Sequence, residues 1–487
     1  MGNKDALADK MKVKLDKSDF GEWYNQVVEV AGLCDKRYPI KGMNVWTPYG
    51  WKIMRSIDTE IRSEMDRTGH DEVCFPLLIP KTEFQKEADH IKGFDAEVYW
   101  VTHGGLNELD VPMLLRPTSE TAMYPMFNLW IRSHADLPLK TFQIVNTFRY
   151  ETKMTRAFIR VREIHFFEAH TCHATFEDAE AQIREDVEIM QRLSKALCIP
   201  VMYTKRPDWD KFAGADYTVG IDCLMPSGRT LQLGSAHQYR ENFSKAYDIK
   251  YEAEDGEHRN VHQTTYGMSE RLLGAIIGIH GDDRGVVLPP GLAPFQIVLI
   301  PILAGKDKQM ILNEAEKVRE ELESFGLRVK MDDRDIRPGS KFYDWEIKGV
   351  PVRLELGPKD IEKESVMSVR RDNGEKMPIP REELLRGVRG LLDRISSDMI
   401  SRAQKVLLDN IREGASPEDA AETFGITRLG WCGSEDCGHQ VEDRGDVSIL
   451  GTLYEVDGAV VREDGKNPAC CVCGKPDGQW IYVSRTH

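Results

Sequence analysis

The chain has 487 residues, 41% of them hydrophobic and 30% charged, with a formal net charge of −15. That length predicts roughly three domains, and without a run of about 18 apolar residues a membrane-spanning helix is excluded. The negative balance argues against a surface coated in positive charge, while Met1 to Lys17 lacks the apolar centre of a secretory signal, so a cytoplasmic location is expected.

In chain order, Trp51 to Arg67 carries Ile53, Ile57, Ile61 and Met65 at the spacing of a half-buried helix, ended by Gly69. Val73-Cys74-Phe75-Pro76 begins an extended stretch. Thr141–Phe148 and Ala157–Glu168 read as two strands around the polar link Thr152–Arg156, a hairpin whose basic tip suits an anion. Thr175-Phe176-Glu177-Asp178 is a capping box that opens a helix to about Leu197. Arg229–Tyr239 reads as a further strand after the turn Pro226-Ser227-Gly228. The run from Leu288 to Pro294, with three prolines, marks a boundary. Beyond it, strands at Ile297–Leu303, Leu327–Met331 and Val350–Leu356 alternate with helices, which predicts a small sheet flanked by helices. Arg381–Ile411 reads as a long helix, broken or continuous. The expected fold class is α/β (α+β), with domains at 1–290, 291–395 and 396–487.

Two arginines carry the chemistry. Arg149 lies in Phe148-Arg149-Tyr150-Glu151, and Arg271 closes Gly267-Met268-Ser269-Glu270-Arg271. Planar, permanently charged guanidinium groups suit a crowd of phosphate and carboxylate oxygens better than mobile lysines do. On a strand, Arg149 and Glu151 point to one face, so the pair reads either as a surface ion pair or as a nucleotide contact. Thr118-Ser119-Glu120 reads either as a helix cap or as a carboxylate facing a ligand ammonium. Farther on, Arg334, Arg337, Lys341, Lys348, Arg353 and Lys359 form either a positive stripe or a solvated face with interspersed acids.

Of ten cysteines, Cys34, Cys74, Cys172, Cys198 and Cys223 are scattered and read as small buried hydrophobes. The other five are grouped. Cys432 and Cys437, with Cys470-Cys471-Val472-Cys473, form two close sets separated by a strand-rich span, the pattern of a closed, structural Zn²⁺ site. Cys470 with Cys473 has the usual knuckle spacing, and Cys471 is the alternative ligand.

Arg116-Pro117-Thr118-Ser119-Glu120, Phe148-Arg149-Tyr150-Glu151, Arg162-Glu163 through Glu168-Ala169-His170, and His280-Gly281-Asp282-Asp283 through Leu288-Pro289-Pro290 together resemble prolyl-tRNA synthetases. The resemblance runs from about residue 20 to the C-terminus. It implies a class II antiparallel sheet flanked by helices, then an α/β anticodon-binding domain and a small zinc-containing C-terminal domain. It further implies ATP-dependent activation of L-proline and transfer to the 3′ end of tRNA(Pro), with Mg²⁺ bridging phosphates.

By the same resemblance, Thr118, Glu120 and His237 contact proline, and Arg149 touches both proline and ATP. Glu151, Arg160, Gln232, Ser235, Ser269 and Arg271 line the nucleotide site, while Phe94, Phe166, Glu168 and His170 shape the pocket wall. Arg149 and Arg271 are the catalytic pair. Phe94 belongs to His90–Phe94, which resembles a mobile lid. Glu346, Arg353, Lys359 and Asp360 match positions that read anticodon guanines. A homodimer is implied, with Trp51–Arg67 and the strand reaching Pro76 at the interface. The chain departs from the family's usual Phe-Leu-Trp at Ile164-His165-Phe166, from tryptophan at Tyr266, and from a terminal tyrosine at His487. His170 to Gly267 is under a hundred residues, too short for the bacterial editing insertion. The archaeal and eukaryotic form is therefore expected, with alanine and cysteine as misactivation substrates.

Overall fold

The computed structural model describes residues 14–86, 96–303, 308–463 and 465–487. Phe94 and the lid expected around it lie outside the described residues.

Helix α1 (Phe20–Val30) and helix α2 (Pro48–Arg67) come first. Thr47 caps α2 by accepting from the Gly50 amide, and Ile53, Ile57, Ile61 and Met65 are buried as the spacing predicts. The main sheet begins with β1 (Asp71–Glu72); helix α3 (Glu120–Trp130) follows, then β2 (Leu139–Phe148) and β3 (Glu163–His173). Helix α4 (Phe176–Ala196) follows, with Thr175 accepting from Asp178 N as its cap. Strands β4 (Met202–Lys205), β5 (Tyr217–Leu224), β6 (Thr230–Arg240) and β7 (His262–Ser269) complete the core, and helix α5 (Arg271–His280) leaves it. Ile183, Val187, Met190 and Leu193 of α4 share one core with Val219, Ile221, Leu231, Leu233 and Tyr266. Every residue of β5 is buried, so both faces of the sheet are covered there.

The second unit holds β8 (Ile297–Pro301), α6 (Lys308–Ser324), β9 (Val329–Met331), α7 (Pro338–Ile347), β10 (Val352–Leu356), β11 (Ser365–Arg370), β12 (Lys376–Pro380) and α8 (Leu384–Asp409). Its strand order is β9-β8-β10-β11-β12, parallel over the first three and antiparallel beyond. Then come β13 (Ile411–Glu413), β14 (Ile426–Trp431), α9 (Glu435–Gly445), β15 (Ser448–Leu453) and β16 (Gln479–Ser484). These last strands join the first sheet, because β15 pairs antiparallel with β4 at Thr452↔Lys205 and Leu453↔Thr204. Among the described residues the result is one sheet of 11 strands.

Three expectations need correction. Ala157–Arg162 is not the start of a strand: the chain turns there, with Phe158 at φ 60°, and β3 begins at Glu163. Ala157, Phe158 and Ile159 are buried all the same, so their apolar pattern reports a loop folded into the core. Cys74 is exposed. The basic stripe is partly consumed within the domain, since Lys341 is buried with Nζ on the Asp332 carbonyl and Arg334 pairs with Asp332 and Asp344.

Candidate active site

Register places the site. Across neighbouring strands, Gln143 pairs with Glu168, Thr141 and Thr265 with His170, His237 with Thr265 and Thr218, and Ser235 with Gly267 and Gly220. Because side chains alternate, these residues share one face of the sheet. A Cβ on Gly267 would stand 2.9 Å from the Phe166 ring, so glycine lets that ring lie against the floor.

Above this floor lies a cavity of about 350 Å³, of a size suited to a small ligand. Thr118, Glu120, Arg149, Glu151, Arg160, Phe166, Gln232, Ser235, His237, Ser269 and Arg271 all line it, so eleven residues expected from the sequence are brought together. Glu168 and His170 do not line it. They lie fully buried beneath, where Glu168 accepts from Ser119 N at 3.2 Å, Gln143 Nε2 at 2.9 Å and the Ser119 hydroxyl, and pairs with His170 Nε2 at 3.1 Å. Burial opposes charge on both, but their mutual bond and attraction outweigh it, lowering the pKa of Glu168 and raising that of His170. This ion pair fixes the turn that delivers Glu120, whose carboxylate accepts from Thr118 Oγ1 at 2.5 Å and Tyr239 Oη at 2.9 Å.

Three arginines, Arg149, Arg160 and Arg271, line the same cavity. Arg271 donates Nε to the Ile159 carbonyl at 2.9 Å and Nη1 to the Gln232 carbonyl at 3.0 Å. Those neutral acceptors hold the guanidinium without spending its charge. Burial, then the charges of Arg149 and Arg160, lower the Arg271 pKa to about 10. Three guanidinium groups repelling one another around a void mark a site for a polyanion. Arg149 is placed by Nε on the Pro117 carbonyl at 3.2 Å, and Arg160 pairs with Glu151 at 3.3 Å. His237 is held neutral, since burial and the charges of His170 and Arg149 push its pKa down to about 3. Its Nδ1 lies 2.9 Å from Thr218 Oγ1 and its Nε2 3.0 Å from Ser235 Oγ.

Sequence reasoning missed Glu97, Arg206, Lys211, Phe212 and Thr218, which also line the cavity. Phe212 lies with its ring 4.5 Å from that of His237. It stands in an irregular connection between β4 and β5, where no periodicity signals a wall residue. The C-terminal His487 lies against Ser227, Nε2 to Oγ 2.8 Å, and burial followed by the charges of Arg156, Arg229, Arg160 and Arg271 lowers its pKa to about 4. His487 thus lies near the arginine cluster.

Farther away, the Sγ atoms of Cys432, Cys437, Cys470 and Cys473 lie within 4.8 Å of one another, and Cys471 is not among them. A tetrahedron of thiolates at about 2.3 Å from zinc has sulfurs about 3.8 Å apart, and Cys473 to Cys432 is 3.8 Å. Burial opposes a thiolate at Cys470, but backbone donors at Cys473 and Val472 prevail and lower its pKa, whereas burial and the neighbouring thiols raise that of Cys437. In the second unit, Glu346 pairs with Arg284 at 2.8 Å, and Arg353 pairs with Glu355 and lies over the Phe342 ring at 4.1 Å. Lys359 and Asp360 open the short helix Pro358–Glu362, where Asp360 accepts from Gly357 N.

Comparison with known proteins bears directly on this arrangement. Residues 99–280 match the tRNA synthetase class II core domain (G, H, P, S and T), 296–391 an anticodon binding domain, and 418–487 the C-terminal domain of prolyl-tRNA synthetase. The proline–tRNA ligase of Thermococcus kodakarensis is 56% identical over 474 residues, covering 96% of this chain and 98% of the relative. The chain belongs to the prolyl-tRNA synthetase family. Its Methanosarcina mazei member is 49% identical over 474 residues, covering 97% of this chain and 98% of its own. The solved structure of Giardia lamblia prolyl-tRNA synthetase in complex with prolyl-adenylate is 35% identical with a TM-score of 0.93, covering 98% of this chain and 99% of that one. Membership accounts for the antiparallel core sheet and for the α/β unit beyond it.

Proposed function

We propose that the protein activates L-proline with ATP to prolyl-adenylate and transfers the prolyl group to the 3′ end of tRNA(Pro). The observation that carries this is one cavity lined both by the Glu120 carboxylate and by three guanidinium groups, Arg149, Arg160 and Arg271. An amino acid fits between them: its ammonium toward Glu120, its carboxylate toward Arg149, and the triphosphate toward Arg160 and Arg271. Thr118, His237, Phe166 and Phe212 enclose the proline ring, while Glu151, Gln232, Ser235 and Ser269 hold the nucleotide. Glu168 and His170 act from beneath, by positioning Glu120.

A proline carboxylate oxygen attacks the α-phosphorus as the bond to the β-phosphate oxygen breaks, and pyrophosphate leaves. The step needs little proton transfer, so positioning and charge stabilisation carry it. His237, held neutral, adds no positive charge beside the substrate ammonium. Arg149 and Arg271 take up the negative charge that develops on the phosphoryl oxygens. Mg²⁺ enters with the triphosphate as part of the substrate. In the second step a hydroxyl of the terminal adenosine attacks the adenylate carbonyl and AMP leaves. Glu346, Arg353, Lys359 and Asp360 are proposed to read anticodon guanines, carboxylates accepting from the N1/N2 edge and cations donating to O6 or N7.

Cys432, Cys437, Cys470 and Cys473 would hold Zn²⁺ in a closed tetrahedral site, with a structural role. A second copy of the chain is the proposed occupant of the apolar surface at Leu77, Leu78, Met126, Leu129 and Trp130, which are 36–52% exposed. Those residues flank the segment reaching Pro76, and analytical ultracentrifugation showing a monomer at micromolar concentration would reject the dimer. The proposed setting is the cytoplasm, and among the described residues no helix is long and apolar enough to cross a membrane. Pyrophosphate exchange across twenty amino acids tests the activity: proline should dominate, and preference for any other amino acid would overturn the assignment.

A further inference from the structure

The wall of the proposed proline pocket is tied to the C-terminal region through the connection between β4 and β5. Trp209 lies in the connection between β4 and β5. Its ring stands 5.9 Å from Trp431 and 4.9 Å from His439, and it packs against the core that includes Cys437 and Cys470. The approach is close, because a Cβ on Gly438 of α9 would fall 2.4 Å from the indole. The same connection starts at Arg206, which donates to the Leu450 carbonyl at 2.9 Å and pairs with Asp222 at 2.8 Å. Three residues after Trp209, Phe212 donates its amide to Thr218 Oγ1 at 2.9 Å, and that hydroxyl also bonds His237 Nδ1 at 2.9 Å.

We propose that Trp209 is a positioning residue for amino-acid recognition: seated in the C-terminal core, it holds the β4–β5 connection so that Phe212 and His237 keep their spacing in the pocket. The inference rests on the function proposed above. Trp209 Nε1 is buried without a hydrogen-bond partner among the described residues, so the ring contributes packing rather than a polar contact. Phenylalanine at this position should therefore serve nearly as well, whereas alanine removes the anchor. Arg271 and Gln232, proposed above to face the nucleotide, are hydrogen-bonded to each other and to Ile159, and among the described residues no hydrogen bond joins them to this connection. Loss of the anchor should thus be felt at proline and not at ATP.

The test is pyrophosphate exchange with separate titration of proline and ATP, on wild type, Trp209→Ala, Trp209→Phe and Gly438→Ala. The last variant pushes on the indole from α9 without touching the pocket. Trp209→Ala and Gly438→Ala should each raise the KM for proline about tenfold while the KM for ATP and kcat stay within about twofold, and Trp209→Phe should stay near wild type. An unchanged proline KM in both disruptive variants overturns the inference. So does a parallel loss of proline KM, ATP KM and kcat with a lowered Tm, which marks a general folding defect. Failure of the wild type to exchange with proline rejects the proposed function instead.

Discussion

Substituting Arg271 by lysine isolates the contribution of a fixed, forked cation. A guanidinium has five N–H donors, and here two go to the Ile159 and Gln232 carbonyls, leaving the rest for the triphosphate. An ammonium is a point donor that cannot span both carbonyls and a phosphoryl oxygen together. Removing one preorganised donor from a developing oxyanion costs about 2.7–4 kcal/mol, or roughly 10²–10³ in kcat. The environment adds to this. Burial and the neighbouring charges of Arg149 and Arg160 lower Arg271 only to about 10, so it stays charged at neutral pH. A lysine starts from a lower ordinary pKa than arginine, so the same burial and neighbouring charges would leave it holding its proton less firmly. In proline-dependent pyrophosphate exchange, Arg271→Lys should lose about 10²–10³-fold in kcat at pH 7 with proline KM within about threefold, and the deficit should widen toward pH 8.5. A loss below tenfold at pH 7, or a deficit that shrinks as pH rises, would refute the charge-stabilisation argument.

Other outcomes follow from single features. Burial pushes the Glu270 pKa up to about 8, against the hydrogen bond it accepts from His165 N. The folded state therefore binds this proton more tightly than the unfolded chain, and stability falls as pH rises from the ordinary carboxylate range toward 8. Glu270→Gln keeps an acceptor for His165 N, and its Tm advantage over wild type should grow between pH 5 and pH 8. A constant difference would contradict the burial account. Cys437→Ser should release the zinc measured by mass spectrometry and lower Tm, whereas Cys471→Ser should retain it; equal retention in both would remove the proposed ligand set. Each methylene missing from a proline-shaped pocket is worth only about 1–3 kcal/mol. Exchange with alanine should therefore be measurable, and discrimination beyond about five decades would contradict this. Glu120→Gln should weaken proline far more than ATP, and equal effects on the two KM values would displace Glu120 from the ammonium end.

What could be read in advance divides along physical lines. The helices came through because their signals are local: Thr175 with Asp178 at the start of α4, and Ile53, Ile57 and Ile61 along one face of α2. Arg149 and Arg271 stood out because each sits in a short motif whose order and spacing resemble a family, and both line one cavity. Ala157–Ile159 misled because a buried loop shows the same apolar residues as a strand. Phe212 and Trp209 gave no warning, since their roles depend on where a connection is pinned by residues more than two hundred positions away at Trp431 and His439. Lys341 looked like a surface cation and is an internal donor to the Asp332 carbonyl. Charge in a sequence does not reveal whether its partner is solvent or the chain itself.

The seam between β4 and β15 bears on how the molecule is made. Until β15 arrives, the far edge of β4 presents unsatisfied amide and carbonyl groups to the cell. β16, which separates β14 from β15, is made long after β4. A nascent or truncated chain ending near residue 417 would carry a raw strand border capable of recruiting another chain, and clipping the tail should therefore yield precipitate before it yields a smaller enzyme.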